Sequence, residues 1–317
     1  MTNDERRSKC TRCFRFVLAI LLIIPPSTLA SVKGKPTQLN GFKAVRIHYS
    51  PLNKMIMSVR INGRRASLLV DTGSNQIILD TAAAASSGVQ PSQDGLRYIR
   101  QTRINGRLLP VALAQSLTAG AMSFGSTQVT LRESRHWDAG DTPIDGVLGL
   151  DVLTRHKAVI NCRTKLIFFK VDQARQVDLS AVASTEKFTR IPLRREENGA
   201  LTVPCSIRGQ AACLFVDTGA FLTIFDQAFL KSVAIPIEAT RVSAHFALGA
   251  SRKVSAGQVN DLKIGGFKTP SAKFGVTALP NFTLRQGNAR VGGILGMDML
   301  YKYQGIIDLD GMNLFLK

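Results

Sequence analysis

The chain has 317 residues, 45% hydrophobic and 20% charged, a composition that suits an ordinary globular protein with room for at least one sizeable core and, on length alone, for one domain or two. A formal net charge of +19 draws it towards acidic surfaces, but zinc-finger spacing and RNA-binding aromatic motifs are both missing. The charge therefore reads as a basic solvated surface with weak attraction to anionic envelope polymers or headgroups, and no nucleic-acid partner is expected.

In chain order the first element is an export signal. Arg6, Arg7, Lys9, Arg12 and Arg15 precede the apolar run Phe16–Ile24, and Pro25-Pro26 and the small-residue ending Thr28-Leu29-Ala30 follow it. The run is nine residues long, against the about 20 that a spanning helix needs, so residues 1–30 are expected to be cleaved after Ala30 rather than kept as an anchor. The chain from Ser31 then carries a charge of about +16. Arg6-Arg7 has little around it to support a twin-arginine route, and no cysteine follows Ala30 to carry a lipid. Cys10 and Cys13 leave with the signal, and Cys162, Cys205 and Cys213 remain in a compartment that permits disulfides. Cys205 and Cys213 flank the hairpin turn Ile207-Arg208-Gly209-Gln210. They either form a cross-hairpin disulfide or stay as two small buried thiols.

Beyond the signal the chain is a duplication: Phe42–Lys170 lies over Phe188–Lys317. Each copy opens with two short strands and a turn, runs into Asp-Thr-Gly, and closes on a matched segment, IDGVLGLDVL (Ile144–Leu153) or VGGILGMDML (Val291–Leu300), followed by an apolar strand pair. Runs rich in Val, Ile, Leu, Phe and Thr alternate with turn signals at Asn105-Gly106, Gly249-Ala250 and Gly265-Gly266. Helical periodicity appears only in brief pieces, such as Thr81–Ser86 and Asp298–Tyr303. Asp308-Leu309-Asp310-Gly311 lacks the helix and distal glutamate of a calcium loop and is expected to be a hairpin turn. His48, His136, His156 and His245 show no metal-ligand spacing. The expected fold is all-β, with two similar β-barrel-like lobes at 31–170 and 188–317, related by a pseudo-twofold axis and joined by a linker at 171–187.

The acids stand at the ends of buried strands, in LLVDTGSNQIIL (Leu68–Leu79) and CLFVDTGAFLTIF (Cys213–Phe225). One Asp-Thr-Gly is ordinary turn chemistry. Two at matching positions, each followed at a similar distance by apolar-apolar-Gly, call for a joint explanation. A twofold relation brings Asp71 and Asp217 together, where like charges cannot both ionise readily; the pair shares one proton and can bind one water. The ionised member can take a proton from that water, while the neutral one donates to a developing oxyanion.

On these residues the sequence resembles the aspartic proteases of the pepsin and retropepsin superfamily, over both repeats. The resemblance implies an acid-protease fold with Asp71 and Asp217 as the catalytic pair. Thr72, Gly73 and Ser74, with Thr218, Gly219 and Ala220, would support the two loops, the threonine hydroxyls tying them together. Val147-Leu148-Gly149 and Ile294-Leu295-Gly296 would pack beneath. The lobes are shorter than those of pepsin and longer than a retroviral subunit, and the DGVLG wording is closer to the retropepsin-like branch, which points to a fused tandem enzyme. The family's β-hairpin flap would fall at Tyr98–Ala112, turning at Asn105-Gly106, and at Val242–Ala256, turning at Gly249-Ala250. Arg97, Arg100, Arg103 and Arg107 crowd the first of these, as a solvated charged face or a preference for acidic substrates. The implied activity is that of an exported endopeptidase acting on peptide or protein substrates as a monomer, without metal or organic cofactor. The alternative is a secreted two-lobe peptide- or polymer-binding protein with the same fold and no relevant proteolysis.

Overall fold

Both repeats carry the same hairpin, built on the same turn. Met55–Ile61 pairs antiparallel with Arg64–Val70 across Asn62-Gly63, and Leu201–Ile207 pairs with Gln210–Val216 across Arg208-Gly209. All four turn residues are left-handed, with φ of 48° and 82° in the first turn and 52° and 77° in the second. Two consecutive residues of that hand give the twist that matches paired strands, and each turn ends in the glycine that adopts it without strain. The computed structural model describes residues 38–94, 98–104, 106–133, 143–245, 251–280, 285–286 and 289–317. The expected export signal, Arg97, Asn105, His136 and the turn Gly249-Ala250 lie outside them. The described residues belong to one compact unit, Pro36–Lys317.

The second strand of each hairpin is buried towards its end, with Leu68, Val70, Leu214 and Val216 at 0% exposure, and there it takes a parallel neighbour from far along the chain. Gly146–Leu148 lies parallel to Arg64–Val70 and antiparallel to Ile78–Asp80, so it threads between the two arms of the loop that holds the first Asp-Thr-Gly. Ala289–Leu295 does the same between Gln210–Val216 and Ile224–Asp226. Short helices follow at Leu150–Arg155 and Met297–Lys302, the latter one residue earlier than its periodicity predicts. Thr81–Ser86 is helical as expected, its first turn capped by Asp80, whose carboxylate accepts the Ala82 and Ala83 N–H groups at 2.9 and 3.3 Å.

Six strands join the repeats. Phe42–Tyr49, Leu166–Lys170 and Val159–Asn161 of the first continue, through the pairing of Val159–Asn161 with Ile306–Asp308, into Asn313–Leu316 and Thr189–Pro192 of the second. A single apolar cluster runs through both copies, from Leu68 and Phe169 to Leu214 and Leu314. At this seam Lys170, with a fully buried side chain, donates to Asp310 at 2.5 Å, and Lys157 reaches the other oxygen at 2.9 Å. The turn at Asp308–Gly311 is the hairpin turn expected, its Asp308 Oδ1 accepting the N–H groups of Asp310 and Gly311, both at 3.0 Å.

The segment expected to be the linker contains the helix Leu179–Thr185, started by Asp178, whose carboxylate accepts the Ser180 N–H at 2.8 Å. Two turns are too few residues to display a period. The cross-hairpin disulfide is absent, and Cys162, Cys205 and Cys213 are free thiols. The tight turn fixes a register in which Cys205 opposes Ala212 and Cys213 opposes Pro204. Opposed residues share a face and successive ones alternate, so Cys205 and Cys213 point to opposite sides of the sheet. Burial pushes the Cys162 and Cys205 thiols up to about 12.

Candidate active site

The threaded strands fix where each acid stands. The Asp71 N–H donates to Leu148 O and the Asp217 N–H to Leu295 O, both at 3.1 Å, so each loop leaves its strand already held by the parallel neighbour. Leu150 N–H then donates to Ser74 O and Met297 N–H to Ala220 O, both at 2.8 Å, which secures the far side of each loop. A side chain at Gly149 or Gly296 would place its Cβ 2.4 Å from Gln76 O or 2.5 Å from Leu222 O, so the apolar-apolar-Gly segments need their glycines for close packing.

Thr72 and Thr218, both fully buried, tie the loops together with four crossed bonds. The Thr72 hydroxyl donates to Val216 O and the Thr218 hydroxyl to Val70 O, each at 2.8 Å. Each hydroxyl also accepts the other threonine's N–H, at 3.0 Å for Thr72 N–H and 3.1 Å for Thr218 N–H.

The glycines show how close the acids come. A Cβ on Gly73 would lie 2.6 Å from the Asp217 Cγ, and one on Gly219 would lie 2.6 Å from the Asp71 Cγ. Neither glycine has a positive φ. What they supply is space for the opposite repeat's carboxyl. Asp71 Oδ1 accepts the Gly73 N–H at 2.7 Å, and Asp217 Oδ1 accepts those of Gly219 and Ala220 at 2.8 and 3.0 Å. Burial, then the Asp217 charge, then a hydrogen bond to Asp217 hold the Asp71 carboxyl well above the usual range. Burial raises Asp217 as well, but the hydrogen bond from Asp71, the Ala220 and Gly219 N–H groups and the Lys54 charge act against it. Both carboxyls are thus raised, and the pair can share one proton.

All eight residues expected at the site are gathered here, with Ser74 and Ala220 at its rim. The Ser74 hydroxyl donates to Gln76 O at 2.8 Å, a bond that Ala220 cannot make. Two further acids went unread in the sequence. Asp151 Oδ2 accepts the Ile77 N–H at 3.1 Å, and Asp298 Oδ1 accepts both the Thr223 N–H at 2.8 Å and its hydroxyl at 2.7 Å. Each acid lies in the first turn of the helix after the threaded strand and reaches back to the return arm of its own loop, and burial raises both carboxyls. The signal was available, since the matched segments read Gly-Leu-Asp and Gly-Met-Asp.

Two small apolar clusters stand apart from the main core beside the acids. Ile56, Leu69, Ile78, Ile144 and Val147 form one, with Ile104 packed on it; Ile224, Leu279 and Ile294 form the other, with Phe215 and Ala220. Ile104 belongs to the first expected flap, a hairpin of Gln101–Ile104 with Arg107–Ala119 in which Ile104 pairs with Arg107. The second is a hairpin of Ile237–His245 with Ser251–Val259. Arg100, Arg103 and Arg107 are exposed on the first. His156 packs edge-on against Phe124 and Phe169, and burial lowers its pKa. Among the described residues no three His, Cys, Asp or Glu side chains gather as metal ligands.

The family model for aspartyl proteases matches the chain twice, over residues 57–152 and 203–299, once for each repeat. The chain belongs to the aspartyl protease family. Its two matched stretches run from the opening hairpin to the helix beyond the threaded strand, so each holds a complete loop and its support. Among solved structures, the aspartic proteinase from Irpex lacteus matches with a TM-score of 0.51 at 15% identity, covering 87% of this chain and 96% of that one. Basic 7S globulin from soybean matches with a TM-score of 0.50 at 10% identity, covering 87% and 94%. At such identities the likeness shows the two-lobe aspartic protease fold alone. No curated protein matches the chain. The all-β fold and the superfamily expected from the sequence are thus both found.

Proposed function

We propose that the protein is an exported aspartic endopeptidase in which Asp71 and Asp217 activate one water for attack on a peptide carbonyl. The observation that carries this reading is the crossing of the two carboxyls, each over the other repeat's glycine at a distance that leaves no room for a Cβ. Asp217, the ionised member, takes a proton from the water as the water oxygen bonds to the carbonyl carbon. Asp71 donates its proton to the developing oxyanion, and the tetrahedral adduct collapses with protonation of the leaving amine. The backbone N–H groups on the outer faces hold both acids in place throughout the cycle. The two apolar clusters beside the pair favour peptides with apolar side chains on either side of the scissile bond. The basic run, apolar run and small-residue ending of residues 1–30 support export.

A peptide-mixture cleavage assay from acid to neutral pH, with Asp71→Asn as control, tests the proposal. Cleavage that rises and falls with pH and is lost in the control is the expected result; cleavage that persists in the control would overturn it. A second reading has one observation in its favour, the equal coverage of a globulin by this fold. It predicts peptide binding without turnover in the same assay.

A further inference from the structure

The two flaps carry the same sign of charge. Arg100, Arg103 and Arg107 stand on the first and Arg241, Arg252 and Lys253 on the second, all of them exposed. Residues 100–119 include no Asp or Glu, and the one acid of residues 237–259, Glu238, is held by Lys273 at 2.5 Å. Among the described residues no carboxylate pairs with any of the six flap cations. A cation on the outer face of a hairpin is simply solvated, so the face each one occupies decides what it can do.

Opposed residues of an antiparallel pair share a face, and successive ones alternate. In the first flap Thr102 pairs with Leu109 and Ile104 with Arg107. Thr102, Ile104 and Leu109 are half-buried, whereas Gln101, Arg103 and Leu108 on the other face are exposed. Arg107 is therefore the exposed member of the inner face, beside Ile104, which packs on the cluster that holds Leu69 and Val147 next to the Asp71 loop. Burial and then the Arg107 charge lower the pKa of Arg132, which brings a second guanidinium to the same face. Arg103 lies on the outer face, its Nη1 donating to Gly106 O at 3.4 Å. In the second flap Val242 pairs with Val254 and Ala244 with Arg252, so Arg252 shares the face of Val254. That face is again the inner one. Val254 is 6% exposed, and a Cβ on Gly275 would lie 3.2 Å from Val254 Cγ1 and 3.3 Å from Cγ1 of Ile224, a member of the cluster on which Ala220 of the Asp217 loop packs. The Thr277 hydroxyl ties the strand down there, donating to Lys253 O at 2.9 Å.

We propose that Arg107 and Arg252 are specificity-determining residues that bind acidic side chains of the substrate, so that the preferred peptide carries a carboxylate on either side of an apolar scissile pair. This deepens the peptidase reading and rests on it. Each arginine stands on the flap face that packs towards an aspartate loop, next to the apolar cluster beside that loop. An acid placed beyond an apolar side chain in that cluster meets a planar fork of donors, which suits a carboxylate better than a point charge does. The four remaining flap cations add a field that draws acidic peptides in and turns basic ones away.

The test is kcat/KM on three peptides that share a Leu-Phe pair and carry Glu, Gln or Lys on both sides of it, with the wild type, Arg107→Gln, Arg252→Gln, their double variant, and Arg103→Gln as a control on the outer face. The wild type should prefer the Glu peptide to the Gln peptide and the Gln peptide to the Lys peptide. Each inner substitution should shrink the Glu-to-Gln ratio by about two- to tenfold, while Arg103→Gln should leave that ratio in place. Arg107→Glu combined with Arg252→Glu should turn the ranking towards the Lys peptide. Equal rates on the Glu and Gln peptides in the wild type, or a ratio that survives in the folded double variant, would overturn the proposal. If the wild type cleaves nothing in a diverse peptide mixture, the peptidase reading falls, and fluorescence anisotropy of the same three peptides decides the acidic preference separately: tighter binding of the Glu peptide sustains it and equal binding overturns it.

Discussion

In the first repeat Asp71 is held by Leu148 O and Gly73 N–H; in the second Asp217 is held by Leu295 O and Gly219 N–H, with distances that agree within 0.1 Å. The side chains around this shared frame do not match: Ser74 stands against Ala220 and Asn75 against Phe221. The symmetric part is backbone and threonine, which must meet its own copy across the axis. A change in one half alone would break a crossed bond. Of the asymmetric part Asn75 and Phe221 are exposed, and no crossed bond obliges the halves to agree there.

The strongest break in this comparison is to remove one acid. Asp71→Asn and Asp217→Asn should each lower turnover by on the order of 10⁴-fold, and the double variant should be little worse than either, because the pair works as one unit. Mixing the two single variants should restore nothing; recovery in the mixture would mean that the site is built between chains. Next in size is the space the acids need. Gly73→Ala and Gly219→Ala each press a methyl against the opposite carboxyl and should cost about 100-fold in kcat/KM, equally from either side. A harmless substitution at one glycine only would show that the carboxyls do not sit symmetrically.

How much of this could be read in the sequence depends on what repeats. The double Asp-Thr-Gly and the double apolar-apolar-Gly disclosed the fold and the family, and pointed to the eight residues that the structure gathers around the two acids, since each motif needs residue types that few others can replace. Asp151 and Asp298 escaped because an acid in the first turn of a helix is unremarkable by sequence; their role appears only when the loop arm returns to their carboxylates. Of the two readings left open for Cys205 and Cys213 the structure has the free thiols, because an eight-residue separation across a two-residue turn places the two on opposite faces. The helix Leu179–Thr185 was too short to announce itself.

Asp298 and Asp151 sharpen the comparison at a smaller scale. Asp298→Ala strands two donors on Thr223 and should cost about 2–3 kcal/mol in denaturant unfolding, whereas Asp151→Ala strands the Ile77 N–H and should cost about 1–2 kcal/mol. The reverse order would mean that water replaces the Thr223 contacts. The mildest effect is one of pH. Asp71 and Asp217 both have folded-state pKa values raised by burial above 3.8, so in the window above that value the native state binds more protons than the unfolded one. Stability must fall as pH rises through that window. The Asp71→Asn, Asp217→Asn double variant should therefore match the wild type at the acid end and exceed it by about 1–2 kcal/mol at neutral pH. Melting curves at the two pH values measure this, and a variant less stable at neutral pH would contradict it.

The six-strand seam has a consequence for how the molecule is made. Val159–Asn161 finds its outer partner only in Ile306–Asp308, and Thr189–Pro192, which opens the second repeat, closes on Asn313–Leu316. During synthesis the first repeat thus leaves the ribosome with an open strand edge. Its buried lysine, Lys170, still lacks Asp310. Neither copy can complete its strand pairing until residues 306–316 have emerged.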